Sequence, residues 1–200
     1  MKKVAIFTRI TNYNNKEIFY IPKAVYDKIC GRVDVIIVPF KENESYTNKL
    51  DVIKLVDGVI LPGGDDIYDF EIELVKYLYE KDIPTLGICL GMQTMGCALN
   101  GKLGKLSDSK HKNTSEYVHN IKIDKNSLLF KIIKKAEIQV NSRHQDYLVY
   151  TSLNIGAKCE NVIEEVEDID KKFFIGVQWH PENLNDDNSD KLFNYFIKKL

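Results

Sequence analysis

Cys89 lies in the stretch Ile83-Pro-Thr-Leu-Gly-Ile-Cys-Leu-Gly-Met-Gln93, and far downstream the chain reads Gly176-Val-Gln-Trp-His-Pro-Glu182. A thiol, an imidazole and a carboxylate are the parts of nucleophilic acyl transfer: a nucleophile, its base, and a group that orients the base. Gly87 and Gly91 flank Cys89 at two residues on either side, the G-x-nucleophile-x-G pattern of a sharp strand-to-helix elbow. Small residues are needed there because the nucleophile adopts a strained backbone and the two elements pack closely against it. A free thiol titrates near ~8.5, and a helix N-terminus beside a histidine lowers that value. The run Phe173-Phe-Ile-Gly-Val-Gln-Trp179 reads as a strand. Pro181 cannot donate to a ladder, so the strand is expected to end at His180, leaving Glu182 to turn back and hold the imidazole tautomer. A lone cysteine is usually a small core hydrophobe; the pairing of elbow and His-x-Glu is what points to a cysteine hydrolase.

The elements that must position these groups alternate through the first half. Strand signals at Val4–Phe7, Asp34–Pro39, Asp57–Leu61 and Thr85–Ile88 are separated by helical patterns near Pro22–Ile29 and Phe70–Lys81. Such alternation predicts an α/β fold with a doubly wound, mostly parallel sheet flanked by helices, whose sites form at the carboxyl ends of the strands. After the elbow helix, Leu90–Leu99, shorter segments at Tyr117–Ile123, Ala136–Val140 and Ala157–Val166 predict a few antiparallel strands. Phe173–Trp179 and a closing helix at Ser189–Leu200 follow.

With 200 residues, 44% hydrophobic and 28% charged, the chain suits one compact domain over 1–200. A net charge of −1 offers no general attraction to nucleic acid or acidic membranes. No apolar run approaches the ~20 residues that span a bilayer, and polar Thr8-Arg9 interrupts any signal-type core, so a cytoplasmic protein is expected. Cys30, Cys89, Cys97 and Cys159 are scattered and lack metal-ligand spacing, which predicts neither disulfide, nor metal, nor organic cofactor.

Four segments carry a family likeness: Asp57-Gly-Val-Ile-Leu-Pro-Gly-Gly-Asp-Asp66, Leu86–Gln93, Val140-Asn-Ser-Arg-His144 and Val177-Gln-Trp-His-Pro-Glu182. In these the chain resembles the class I glutamine amidotransferase superfamily, and within it the γ-glutamyl-γ-aminobutyrate hydrolase branch. Leu90 stands where that branch usually has arginine, the insertion after Gly-Gly-Asp is short, and Gln145-Asp146 follows where a second histidine is common.

Hydrolysis of a carboxamide develops an oxyanion that needs pre-aimed donors, and the Leu61-Pro-Gly-Gly64 turn can present bare N–H groups. The resemblance implies an oxyanion hole from Gly64 and the Leu90 amide, with Cys89, His180 and Glu182 catalytic. Gln93, one helical turn beyond Cys89, would meet the amino-acid part of a γ-glutamyl group. Asn141, Ser142, Arg143 and His144 match the segment that grips the glutamyl backbone in the family, His144 being read as a structural histidine and not a second base. Arg143 is one of three arginines, its planar fork suited to carboxylate or phosphate, and Arg9 at the end of the first strand is a candidate for the pocket wall.

The function expected is hydrolysis of a γ-glutamyl amide, releasing glutamate and an amine-bearing small molecule, with the small γ-glutamyl substrate as the only partner, neither nucleic acid nor membrane, and oligomeric state open. The short, low-arginine chain also looks like the γ-glutamyl-CDP-amidate hydrolase of bacterial capsule phosphoramidate synthesis, which yields cytidine diphosphoramidate. That substrate ranks first, because the basic stretch Lys102, Lys105, Lys110, His111, Lys112 would suit a diphosphate; γ-glutamyl-γ-aminobutyrate ranks next. The alternative is a glutaminase subunit supplying ammonia to a synthase partner, which Leu90 and the compact length favour. A non-hydrolytic sensor with a reactive cysteine would not need the His180/Glu182 pair.

Overall fold

A computed structural model describes residues 1–107 and 111–200. In chain order the strands and helices are β1 Lys3–Phe7, β2 Arg9–Tyr13, β3 Lys16–Tyr20, α1 Lys23–Ile29, β4 Asp34–Val38, α2 Leu50–Ile53, β5 Gly58–Leu61, α3 Asp69–Glu80, β6 Thr85–Ile88, α4 Leu90–Ala98 and β7 Lys102–Lys105. Then follow β8 His119–Ile123, α5 Leu128–Ile133, β9 Glu137–Val140, β10 Asp146–Tyr150, β11 Asn154–Cys159, β12 Val162–Glu167, β13 Phe174–Val177 and α6 Asp187–Lys198.

Nine strands form one sheet in the order β4-β1-β5-β6-β13-β12-β11-β8-β9. The pairings from β4 to β13 are parallel, and those from β13 to β9 antiparallel. The inner parallel strands β1, β5, β6 and β13 are buried on both faces, as their near-continuous apolar runs require, while β4 is a partly exposed edge. Val4 and Ile6 of β1 face one core with Val25 and Ile29 of α1 and Leu192, Phe193 and Phe196 of α6. Ala5 and Phe7 face the other with Leu74 and Leu78 of α3 and Met92 and Met95 of α4. This is the α/β architecture expected, with its helices on both faces of the sheet.

Differences lie where the pattern was too short to read. Ala157–Val166 is not one strand: Glu160 at φ 51° closes a hairpin between β11 and β12. Between β1 and α1 the chain forms a separate hairpin, β2 with β3, and β7 pairs with β10 in a second two-stranded ladder. The helix α5 is capped by Ser127 and by the Glu167 carboxylate, which accepts from the N–H groups of Leu128 at 2.7 Å and Leu129 at 3.1 Å. Neither helix nor cap has an extended sequence signal, since six residues make less than two turns. No helix among the described residues is long and apolar enough to cross a membrane.

Candidate active site

β6 and β13 lie side by side in the sheet, with Ile88 opposite Val177, so their carboxyl ends deliver Cys89 and the Gln178–His180 segment to one place. Cys89 caps α4 with φ 51° and ψ −105°, a conformation costly for a residue with a side chain. Its N–H is held by the Val177 carbonyl at 2.8 Å, and its carbonyl already accepts from Gln93 N–H within the new helix. The flanking glycines explain how the turn is tolerated. A Cβ at Gly87 would overlap Met95, and one at Gly91 would overlap the Leu61 carbonyl.

Because Leu61 is backbone in a central strand and cannot yield, Gly91→Ala is expected to cost about 3 kcal/mol or more, at the upper end of overpacking. Urea unfolding would measure it, and an unchanged midpoint would show that the elbow is not locked against β5.

The strand β13 ends at Val177, not at His180. Gln178 N–H still reaches the Glu164 carbonyl at 2.8 Å, but His180 N–H donates instead to Asn141 Oδ1 at 2.8 Å, while Asn141 Nδ2 donates to the His180 carbonyl at 2.8 Å. This two-way amide clamp draws the chain out of the ladder and sets the imidazole. Glu182 Oε1 lies 2.7 Å from His180 Nδ1, and Glu182 is buried at 4% exposure. Burial works to lower the His180 pKa, but Cys89 and Glu182 on its two sides outweigh it and raise it to about 10.

The Gly63–Gly64 turn runs against both side chains. A Cβ on Gly63 would sit 2.8 Å from His180 Cε1 and 3.5 Å from Cys89 Cβ, and one on Gly64 would meet Arg9 Cδ at 2.7 Å. The turn therefore packs close to the His180 ring and the Cys89 side chain, and Cys89 heads α4, whose first N–H groups no helical carbonyl can satisfy. Around them is a cleft of about 360 Å³ lined by Tyr20, Gly63, Gly64, Asp65, Cys89, Arg143 and His180 among others. A thiol, a proton-holding imidazole and a bare glycine turn at one cleft are the parts that attack on a carbonyl and oxyanion stabilisation require.

The remaining candidates divide. Arg143 lines the cleft. Arg9 does not: it is buried at 2% exposure, with its guanidinium on the Pro62 carbonyl and on Glu71, bracing the glycine turn from behind. Gln93 also lies beneath the cleft, its Nε2 donating to the Asp146 carbonyl at 2.8 Å and to Gln178 Oε1 at 3.1 Å, while Gln178 Nε2 lies 3.6 Å from Cys89 Sγ. Gln178, Gly63 and the hairpin residue Tyr20 are site residues that sequence reasoning missed; Gln178 and Gly63 each adjoin a named motif residue. Ser142 Oγ donates to the His111 carbonyl at 2.6 Å, and His144 turns inward to Glu164. Extended backbone from 141 to 144 alternates its side chains, which is why Arg143 alone of Ser142, Arg143 and His144 lines the cleft.

Among the described residues the basic stretch does not gather at the cleft. Lys102 and Lys105 lie on β7, His111 is buried, Lys110 lies outside the described residues, and none of the others lines the cleft. His111, His119, His144 and Glu164, far apart in sequence, meet beneath the 141–144 segment.

The chain matches the family described as glutamine amidotransferase class-I over residues 22–200. It is 30% identical to a glutamine amidotransferase-like protein of Rickettsia prowazekii, with 82% of each chain covered. It is 31% identical to one of the subunits of the glutamine-hydrolysing GMP synthase of Archaeoglobus fulgidus, over 76% of this chain and 80% of that protein. The fold superposes on the glutaminase domain of Trypanosoma brucei CTPS with bound acivicin, at a TM-score of 0.76, 18% identity and coverage of 100% and 94%. The likeness to a component of a synthase corrects the expectation that a small γ-glutamyl compound is the sole partner.

Proposed function

Because this chain belongs to the class I glutamine amidotransferase family, we propose that it is a glutaminase subunit, hydrolysing glutamine and supplying ammonia to a separate synthase partner. The observation that carries the reading is the strained Cys89 at the head of α4 facing a His180–Glu182 pair at 2.7 Å. The names of the relatives supply the rest: one is a subunit of a glutamine-hydrolysing synthase. The size of the cleft agrees. About 360 Å³ lies at the low end of ligand sites and gives room for an amino acid.

In the proposed reaction Cys89 Sγ attacks the carboxamide carbon of glutamine. The oxyanion is held by the amides of Gly64 and Leu90, and His180 gives its proton to the departing nitrogen, leaving a γ-glutamyl thioester and ammonia. Acylation removes the Cys89 influence that helps raise the His180 pKa from its ordinary value to about 10, and the imidazole, having given up its proton, can take one from water. The hydroxide formed attacks the thioester, glutamate leaves, and the thiolate returns. Asn141 fixes the His180 backbone throughout, and Arg143 meets the substrate carboxylate at the cleft wall.

One observation favours a second reading, the γ-glutamyl hydrolase branch with γ-glutamyl-γ-aminobutyrate or γ-glutamyl-CDP-amidate as substrate: Arg143 could equally meet an anionic leaving group. Glutamate release should be measured from glutamine and from both conjugates, with and without a candidate synthase. Glutamine turnover, low alone and rising at least about tenfold with the partner, is expected. Turnover of one conjugate well above glutamine would overturn the glutaminase reading in favour of the second.

A further inference from the structure

We propose that His111, His119, His144 and Glu164 form a binding site for a divalent transition metal of the zinc class, separate from the cleft and independent of the hydrolase reading. Glu164 lies on β12 at 0% exposure, and its Oε1 has three imidazole nitrogens around it: His119 Nε2 at 3.1 Å, His111 Nδ1 at 3.4 Å and His144 Nε2 at 3.8 Å. Among the described residues none of these four atoms has a hydrogen-bond partner, nor does Glu164 Oε2. Buried polar atoms are nearly always paired, so five unpaired ones gathered around one carboxylate require an explanation. Ligand atoms of a tetrahedral ion with bonds of ~2.0–2.1 Å lie ~3.3 Å apart; the three distances from Glu164 Oε1 bracket that value, and His111, His144 and Glu164 offer ligand atoms that all lie within 4.8 Å of one another, with His119 beside them in a second such group with His111 and Cys159.

The tautomer of His144 argues the same way. Its Nδ1 lies 3.0 Å from the Asp146 carbonyl, which can only accept, so Nδ1 carries the hydrogen. Nε2 is then the nitrogen left to face Glu164 Oε1, at 3.8 Å, beyond hydrogen-bond reach and open to a bridging cation. A ring nitrogen tied to a carbonyl while the other points inward is the usual support for a ligating histidine. Three neutral imidazoles and one carboxylate suit Zn²⁺ or Co²⁺ better than Mg²⁺ or Ca²⁺.

The cluster also has a way in. A groove of about 810 Å³ over the antiparallel half is lined by His119 and Cys159, and the Cys159 thiol groups with His111 and His119, so it can serve as an added ligand. The consequence for the fold is local. The ion would tie the His111–His119 connection and the Asn141–His144 segment to β12, and Asn141 is the residue that clamps His180. The sequence hides the set because its members stand eight, twenty-five and twenty positions apart.

Zinc can also bind the Cys89–His180 pair, so the test uses the full-length Cys89→Ala chain, stripped with chelator and titrated with Zn²⁺ and with Co²⁺. One equivalent is expected, with a Tm rise of more than about 5 °C at saturation and the visible spectrum of four-coordinate Co²⁺. His119→Ala and Glu164→Gln, each added to Cys89→Ala, should each weaken affinity at least about 100-fold; His119 lies at the edge of the cluster, so that variant retains its fold. Thiolate charge transfer lost on Cys159→Ser would place sulfur in the set. Failure of Cys89→Ala to bind the ion, or binding untouched by both cluster variants, would overturn the proposal and leave a proton-sharing polar cluster.

Discussion

Replacing Cys89 by alanine should abolish glutamine hydrolysis while leaving the fold intact, with kcat falling by about 10⁴-fold or more, as when the nucleophile of an acyl-transfer triad is removed. Alanine keeps the Cβ that the elbow already accommodates, so its φ of 51° is no more strained than before, and the Tm should move little. A second measurement on the same variant makes the result specific to chemistry. Cys89 is the first of the influences that raise the His180 pKa to about 10 against burial, so in Cys89→Ala an NMR titration of His180 should move down toward its ordinary value.

The sign of the stability effect follows. Between about 6.5, the ordinary histidine value, and about 10, the folded chain holds a proton on His180 that the unfolded chain has lost. That contribution to stability is therefore full below about 6.5 and disappears as pH rises to about 10. Cys89→Ala should flatten the decline. A His180 titration unchanged by the substitution would mean that thiol and imidazole do not interact, and the proposed attack would have no activated nucleophile.

The positions proposed as catalytic could be picked out in the sequence because each rests on a local rule. Gly87 and Gly91 read as an elbow since only a missing Cβ allows α4 to pass against β6 and β5, and Pro181 announced that the chain must leave the sheet near His180. The βαβ alternation placed both at carboxyl ends of adjacent parallel strands, and β1, β6 and α3 lie within a residue or two of their predicted bounds. The rest depended on contacts between distant segments. Arg9 reads as a pocket residue from its place after β1, but the buried carboxylate of Glu71, sixty-two positions away, draws it behind the glycine turn. Asn141, which reads as a substrate contact, spends both ends of its amide on the His180 backbone. The β2–β3 hairpin, which brings Tyr20 to the cleft, has largely exposed strands and so lacks the apolar pattern that reveals a buried one. Spacing rules for metal ligands look for neighbours in sequence, and could not see His111, His119, His144 and Glu164.

The orienting carboxylate gives a prediction that separates catalysis from structure. Glu182→Gln keeps the size of the side chain and an oxygen able to accept from His180 Nδ1–H, now 2.7 Å from the carboxylate, but it exchanges a charge-assisted hydrogen bond for a neutral one of roughly half the strength. The tautomer is retained while one of the two influences holding His180 at about 10 is lost. The alkaline limb of kcat/KM, which reports loss of the imidazolium proton that the leaving nitrogen must receive, should therefore shift to lower pH. The rate at the optimum should fall by about 10²- to 10⁴-fold, less than for the nucleophile, because Cys89 still supports the imidazolium. Glu182 is nearly fully buried and also accepts from Asn183 Nδ2 at 3.3 Å, so a residue that merely packed there would give a lower Tm and an unmoved limb. A moved limb at constant Tm is the expected outcome. An unmoved limb with full activity would remove Glu182 from the mechanism and leave Cys89 and His180 as a dyad.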